Sequence, residues 1–142
     1  ASDLIVSSYK RRLVSRAADS GRLLWFKEMS SATGVAVDRT NLAVSENNGD
    51  LWMLDRRNGS TIWKIDRMEN RGLTRPAFYG NYVVVGDQEG YLHWLDTDIG
   101  AFVARVRAGK KGFAAAPLAV GTTLYVLTQK GDLIAYRAGA AI

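Results

Sequence analysis

The chain has 142 residues, 47% of them hydrophobic and 23% charged, the proportions of one globular domain rather than of a disordered polymer. Cysteine is absent, which excludes disulfides, thiolate metal sites, thiol nucleophiles and Cys-linked lipid from this segment, and no apolar run approaches the roughly 20 residues of a membrane-spanning helix. Nineteen Lys and Arg against fourteen Asp and Glu leave +5, a bias towards acidic partners too dispersed to name a function.

The opening ASDL has neither an initiator Met nor a signal segment, as expected of mature or excised protein. From there the sequence repeats itself. LIVSSYKRRLVSRAADSGRLLW (Leu4 to Trp25) aligns with LAVSENNGDLWMLDRRNGSTIW (Leu42 to Trp63) at an offset of 38, Gly21 falling on Gly59 and Trp25 on Trp63. VVVGDQEGYLHWLDTDIGAFVA (Val83 to Ala104) follows at 41, with Gly90 on Gly49 and Gly100 on Gly59. LYVLTQKGDLIAYR (Leu124 to Arg137) is the fourth copy, Gly131 again 41 residues on.

The third copy divides into TRPAFYG, NYVVVGD, YLHWLDT and AFVARVRA, predicting four strands, A innermost to D outermost. Asn48-Gly49 suits a tight hairpin with positive φ, and Gly59, Gly90, Gly100 and Gly131 punctuate equivalent turns. Continuously apolar runs (LIV, YVVV, LYVL) predict strands covered on both faces, and helical periodicity is missing. Four-stranded antiparallel units every 40 or so residues predict an all-β fold, a β-propeller segment of about 3.5 blades. The register divides it into an incomplete blade at 1–29 (strands B, C, D), full blades at 30–70 and 71–111, and an incomplete blade at 112–142 (A, B, C) whose last residues, AGAAI, are too short for a strand D. Such a segment cannot close a ring, so it is expected to belong to a larger propeller or to self-associate.

The turn Asp55-x-x-x-Gly59-x-x-x-Trp63, with a looser copy at Asp19, Gly21 and Trp25 and a third at Asp96 and Gly100 without the Trp, resembles the quinoprotein-type repeat. Within that superfamily, the stretch from Leu73 to Arg137, GDQEGYLHWLD above all, resembles the C-terminal blades of the BamB family of outer-membrane β-barrel assembly (BAM) propellers. The resemblance implies an eight-bladed ring anchored by an N-terminal lipid to the periplasmic face of the outer membrane of a Gram-negative bacterium. It implies a non-enzymatic scaffold, without cofactor or catalytic residues, that docks on the periplasmic domains of BamA through loops leading into strand A. Unfolded outer-membrane proteins are expected as further partners, through β-augmentation at an exposed strand edge. The anchor and the main contact loops are expected upstream of this segment. The rival reading is a fragment of a PQQ-dependent quinoprotein dehydrogenase, which would need a central cofactor, a metal with carboxylate ligands and a base.

On the face carrying the D-to-A and B-to-C connections, Lys10, Arg11, Arg12, Arg67, Arg71, Arg75, Lys110, Lys111 and Lys130 stand against Glu46, Asp50, Glu69, Asp87, Glu89 and Asp132, nine minus six giving +3. A docking surface for an acidic protein patch, carried by Arg11, Arg12, Arg67, Arg71, Arg75, Lys110 and Lys111, is one reading; a solvated rim of mixed charge is the other. Trp25 and Trp63 align on strand D and Trp52 and Trp94 on strand C, positions for packing between blades rather than for stacking a cofactor. His93, the only histidine, lacks a second ligand or a nucleophile and is read as structural. Asp55, Asp96 and Asp98 recur at turns, where such side chains accept local backbone N–H groups. No glycine-rich loop opens a helix, and the aromatics are in strand interiors, so neither nucleotide nor nucleic-acid binding is expected.

Overall fold

The computed structural model describes residues 4–9, 11–31 and 33–137, with side chains from residue 11 onwards; Lys10 and the AGAAI stretch lie outside the described residues. Fourteen strands and no helix occur among them. The first sheet runs β1 (Leu4–Tyr9), β2 (Arg12–Ala17), β3 (Leu23–Glu28). The second runs β4 (Val35–Val37), β5 (Asn41–Ser45), β6 (Leu51–Asp55), β7 (Thr61–Ile65). The third runs β8 (Ala77–Tyr79), β9 (Tyr82–Gly86), β10 (Tyr91–Asp96), β11 (Phe102–Arg107), and the fourth β12 (Leu118–Val120), β13 (Thr123–Leu127), β14 (Leu133–Tyr136). All pairings are antiparallel between chain neighbours, and the short strands β4, β8 and β12 lie beside one another on the inner side. This is an all-β propeller segment.

The repeat shapes each sheet in the same way. Register shifts fall between Ser15 and Arg16, Met53 and Leu54, and Trp94 and Leu95, one at the same place in each C–D pair. An extra residue there sharpens the local twist, so the outer strand splays from the inner one. The continuous apolar runs fill both faces, as β9 illustrates: Val83 and Val85 face the second sheet among Met53, Trp63 and Leu73, while Val84 faces the fourth with Leu92, Trp94 and Leu124. Leu13, Trp25, Leu42 and Leu54 close the first sheet on the second. Burying each such side chain contributes about 1.5–3 kcal/mol. Large apolar side chains stay exposed on β3 (Leu23, Leu24, Phe26) and on the last sheet (Leu118, Val120, Leu127, Leu133).

The C–D turns latch one sheet to the next. In the second and third sheets the Gly N–H returns to the Asp carbonyl (Gly59 to Asp55 and Gly100 to Asp96, both 2.8 Å), and in the first Gly21 N returns to Ala17 O (2.8 Å). Asp55 Oδ1 accepts Arg57 N, and Asp96 Oδ1 accepts Asp98 N and Ile99 N, so Asp98 contributes its amide to the turn rather than an acceptor. The Trp of the preceding sheet then seats on this Gly. Trp25 Nε1 donates to Arg56 O (3.0 Å) with its ring over Gly59, and Trp63 Nε1 donates to Thr97 O (2.7 Å) with its ring over Gly100. Ala104, on β11, stands where the third Trp would be.

The Asn48-Gly49 turn departs from a tight two-residue hairpin. Gly49 has φ +97°, but Asn48 is not in the left-handed region; the loop spans 46–50, closed by Glu46 N to Asp50 O (2.8 Å), and Asn48 Oδ1 caps Asp50 N (3.0 Å). An Asn side chain that can bond the backbone two residues on removes the need for positive φ at its own position.

Candidate functional site

One face of the molecule is a layer of interlocked loops, the D-to-A segments and the B-to-C turns. Asn47 N donates to Ser30 O (2.8 Å), Gln88 N to Arg71 O (2.8 Å) and Gln129 N to Gly112 O (3.0 Å), three repeats of one bond at intervals of 41 residues. On the other side of the B-to-C turns of the second and third sheets a glycine meets the next segment: a Cβ on Gly49 would lie 2.4 Å from Met68 O, and one on Gly90 would lie 2.2 Å from Gly109 O. Backbone contact on both sides makes this layer a rigid platform for side chains.

Half of the acids counted on this face are engaged by the fold itself. Glu46 accepts Trp52 Nε1 (2.9 Å) and Ser30 N (3.3 Å), Asp50 pairs with Lys64 (3.4 Å), and Asp87 is buried. Three of the six counted acids are thus turned into the fold, which leaves Glu69, Glu89 and Asp132 exposed beside the basic residues.

The bases gather in two open cavities. One, of about 550 Å³, lies between the β11–β12 segment and the β13–β14 turn, with Lys110, Lys111 and Lys130 against Asp132. The other, of about 420 Å³, opens between the second and third sheets and is lined by Arg67, Met68 and Arg71, by His93 of β10, and by Phe102, Val103, Ala104 and Arg105 of β11. At its wall Asp87 Oδ2 lies 2.7 Å from His93 Nε2 and 3.5 Å from Arg71 Nη1, while Asp87 Oδ1 accepts Glu89 N (2.9 Å) and Tyr91 N (3.1 Å). A carboxylate held by four partners is a fixed anchor for the two side chains it orients. Arg105 stacks on Tyr91 at 4.8 Å.

Of the residues singled out in sequence, Arg67 and Arg71 meet at the second cavity and Lys110 and Lys111 at the first. Arg75 lies apart, against Gly34 and beside Leu118 and Tyr125. Arg11 sits in the β1–β2 turn at φ +63°, and Arg12 begins β2 with its guanidinium 4.7 Å from the Phe26 ring, in neither cavity. Sequence reasoning missed Arg105, and it treated His93 and Asp87 separately. The signal was the repeat itself, because positions 87 and 93 align with Glu46 and Trp52. The tryptophans pack between sheets, Trp94 edge-on to Tyr79 and Tyr82. On the opposite face, hydrogen bonding to the Arg57 side chain, and then to its N–H, holds the Asp55 carboxyl below its ordinary value of 3.8.

The family model for the outer membrane protein assembly factor BamB matches residues 1–65. BamB of Pseudomonas aeruginosa is 43% identical over 133 residues, 94% of this chain and 35% of that protein. BamB of Xanthomonas campestris is 39% identical over 134 residues, 94% of this chain and 33% of its own. The chain therefore spans about a third of the length of the curated relatives it matches. Among solved structures, BamB from Moraxella catarrhalis superposes with a TM-score of 0.87 at 24% identity, over 96% of this chain and 41% of that one. A europium-containing methanol dehydrogenase superposes at 0.60 with 17% identity, over 72% and 22%. At these identities both structures speak to the fold alone. Matched over nearly its whole length by relatives of one name, and folded like a solved protein of that name, the chain is similar to the BamB outer membrane protein assembly factors.

Proposed function

We propose that this chain is part of a non-enzymatic scaffold subunit of the outer-membrane protein assembly machinery, held at the periplasmic face of the outer membrane by a lipid anchor elsewhere in the full-length protein. In this reading its loop layer docks on an acidic patch of the periplasmic domains of BamA and so helps present unfolded β-barrel proteins for insertion. The observation that carries it is the loop face itself: a backbone-locked platform on which three of six acids are engaged internally while Arg67, Arg71, Lys110 and Lys111 surround two open cavities. Rigid loops cost little ordering entropy on binding, and guanidinium forks pair well with carboxylates. Kinship with proteins named as outer membrane assembly factors supplies the biological setting.

The test is site-specific photocrosslinking in the full-length protein in intact cell envelopes. A photoreactive side chain at position 67, 71 or 110 is expected to capture BamA, whereas one at position 57, on the opposite face, is not. Capture from 57 alone, or from none of the four, would defeat the docking surface.

A further inference from the structure

We propose that the cavity at His93 is a carboxylate-binding site, built to receive an acidic side chain of an extended segment of a protein partner. The repeat shows how the site arises. In the second sheet the acid opening the B-to-C turn is Glu46, and it accepts Trp52 Nε1 at 2.9 Å; 41 residues later Asp87 holds His93 Nε2 at 2.7 Å in the same arrangement. The bond is the architectural element and is kept in both copies. What differs is volume: the indole of Trp52 fills its place beneath Lys27 (5.5 Å) and Lys64 (4.9 Å), whereas the smaller imidazole leaves the space of about 420 Å³ described above.

The walls of that space are chosen for an anion. Arg67, Arg71 and Arg105 contribute three guanidiniums, against which stands the single carboxylate of Asp87. His93 is 3% exposed, and its Nε2 is held by Asp87. The guanidinium groups beside the imidazole offer short, charge-assisted bonds to an incoming carboxylate oxygen. Met68, Phe102 and Val103 line the remainder, a surface for the methylenes behind a carboxyl group rather than for a fully hydrated inorganic ion. The cavity opens along β11, the outermost strand of its sheet, so an extended chain passing the blade edge can lower one acidic side chain into it. The docking reading is needed only to say where that side chain comes from.

The test needs only the chain and three probes: an unstructured peptide of alternating Gly and Glu, its Gly-Gln counterpart, and inorganic phosphate. His93 is the only histidine, so its imidazole resonances report on this one site. The Glu peptide is expected to move them saturably, and the Gln peptide not to. Calorimetry should show binding at least about tenfold weaker for Arg67→Gln combined with Arg105→Gln, two exposed positions outside the packed core. His93→Trp, which restores the arrangement of Trp52, should fold normally and weaken binding as much, whereas Lys110→Gln with Lys111→Gln should bind as the unmodified chain does. No saturable shift with the Glu peptide, or full binding by either cavity variant, overturns the site. Phosphate binding as tight as the peptide overturns its assignment to a protein side chain. Because BamA is absent from the experiment, a negative result leaves the crosslinking test of docking to stand or fall by itself.

Discussion

Substituting Gly100 by Ala tests whether the sheets are joined by seating a Trp of one on a Gly of the next. Gly100 has φ +72°, and a Cβ there would lie 2.7 Å from Trp63 Cδ2 and 2.9 Å from Cε3, a ring held in place by its bond to Thr97 O. The left-handed backbone costs a non-glycine residue about 1–2 kcal/mol, and forcing a methyl into a packed contact costs about 1–3 kcal/mol more. Gly100→Ala should therefore destabilise by about 2–5 kcal/mol. Gly121 supplies the conformational part alone, since its φ is +58° and a Cβ there would have nothing within 4 Å; Gly121→Ala should cost about 1–2 kcal/mol. Trp63→Ala, by itself about 3–5 kcal/mol, removes the overlap, so Gly100→Ala added to it should cost only the conformational part. The cycle, read by urea unfolding at constant m, should thus show a coupling of about 1–3 kcal/mol. Equal costs for Gly100→Ala and Gly121→Ala, or additivity with Trp63→Ala, would refute the seating.

Further tests address the loop face, the opposite turns and the inner strands. Gly90→Ala should cost several kcal/mol more than Gly131→Ala, because both have left-handed φ but only Gly90 abuts backbone carbonyls, those of Gly109 and Lys111; equal thermal shifts would remove the interlocked layer. The depressed Asp55 carboxyl contributes stability that is present above its ordinary value of 3.8 and is lost as pH falls through its lower folded value. The stability gap between the chain and Asp55→Asn should accordingly narrow on acidification from pH 5 to the lowest pH at which both remain folded, and a constant gap would contradict that linkage. Tyr79→Phe, which removes the hydroxyl donated to Thr122 O between the third and fourth sheets, should cost about 0.5–1.5 kcal/mol in urea unfolding.

Local features were the most legible part of this molecule in its sequence. Asp55-x-x-x-Gly59 marks a turn because an Asx acceptor and a left-handed glycine are both written locally, and the Val-rich run of β9 marks a strand covered on both sides for an equally local reason. Which residues meet across sheets is not local. Trp63 could be assigned to strand D from its position, but its partner is the glycine of the following copy, 37 residues on, and only the stacking of one sheet on the next brings them together. The candidate site was hidden for the same reason. Arg71, Asp87, His93 and Arg105 lie on a loop, a turn and two strands, and no spacing rule joins them. Asn48 shows the converse limit: the Asn-Gly pair suggested a two-residue hairpin, but side-chain capping of Asp50 N allows a wider loop.

The most direct test of the account is charge reversal at the two arginines shared by the loop face and its cavity. The full-length protein carrying Arg67→Glu and Arg71→Glu, and in parallel one carrying Arg16→Glu and Arg22→Glu near the opposite turns, would be recovered from cell envelopes and BamA in the recovered complex quantified. The account predicts that the first pair loses most of the BamA while the second retains it. Full retention by the first pair, with the fold intact by circular dichroism, would contradict it.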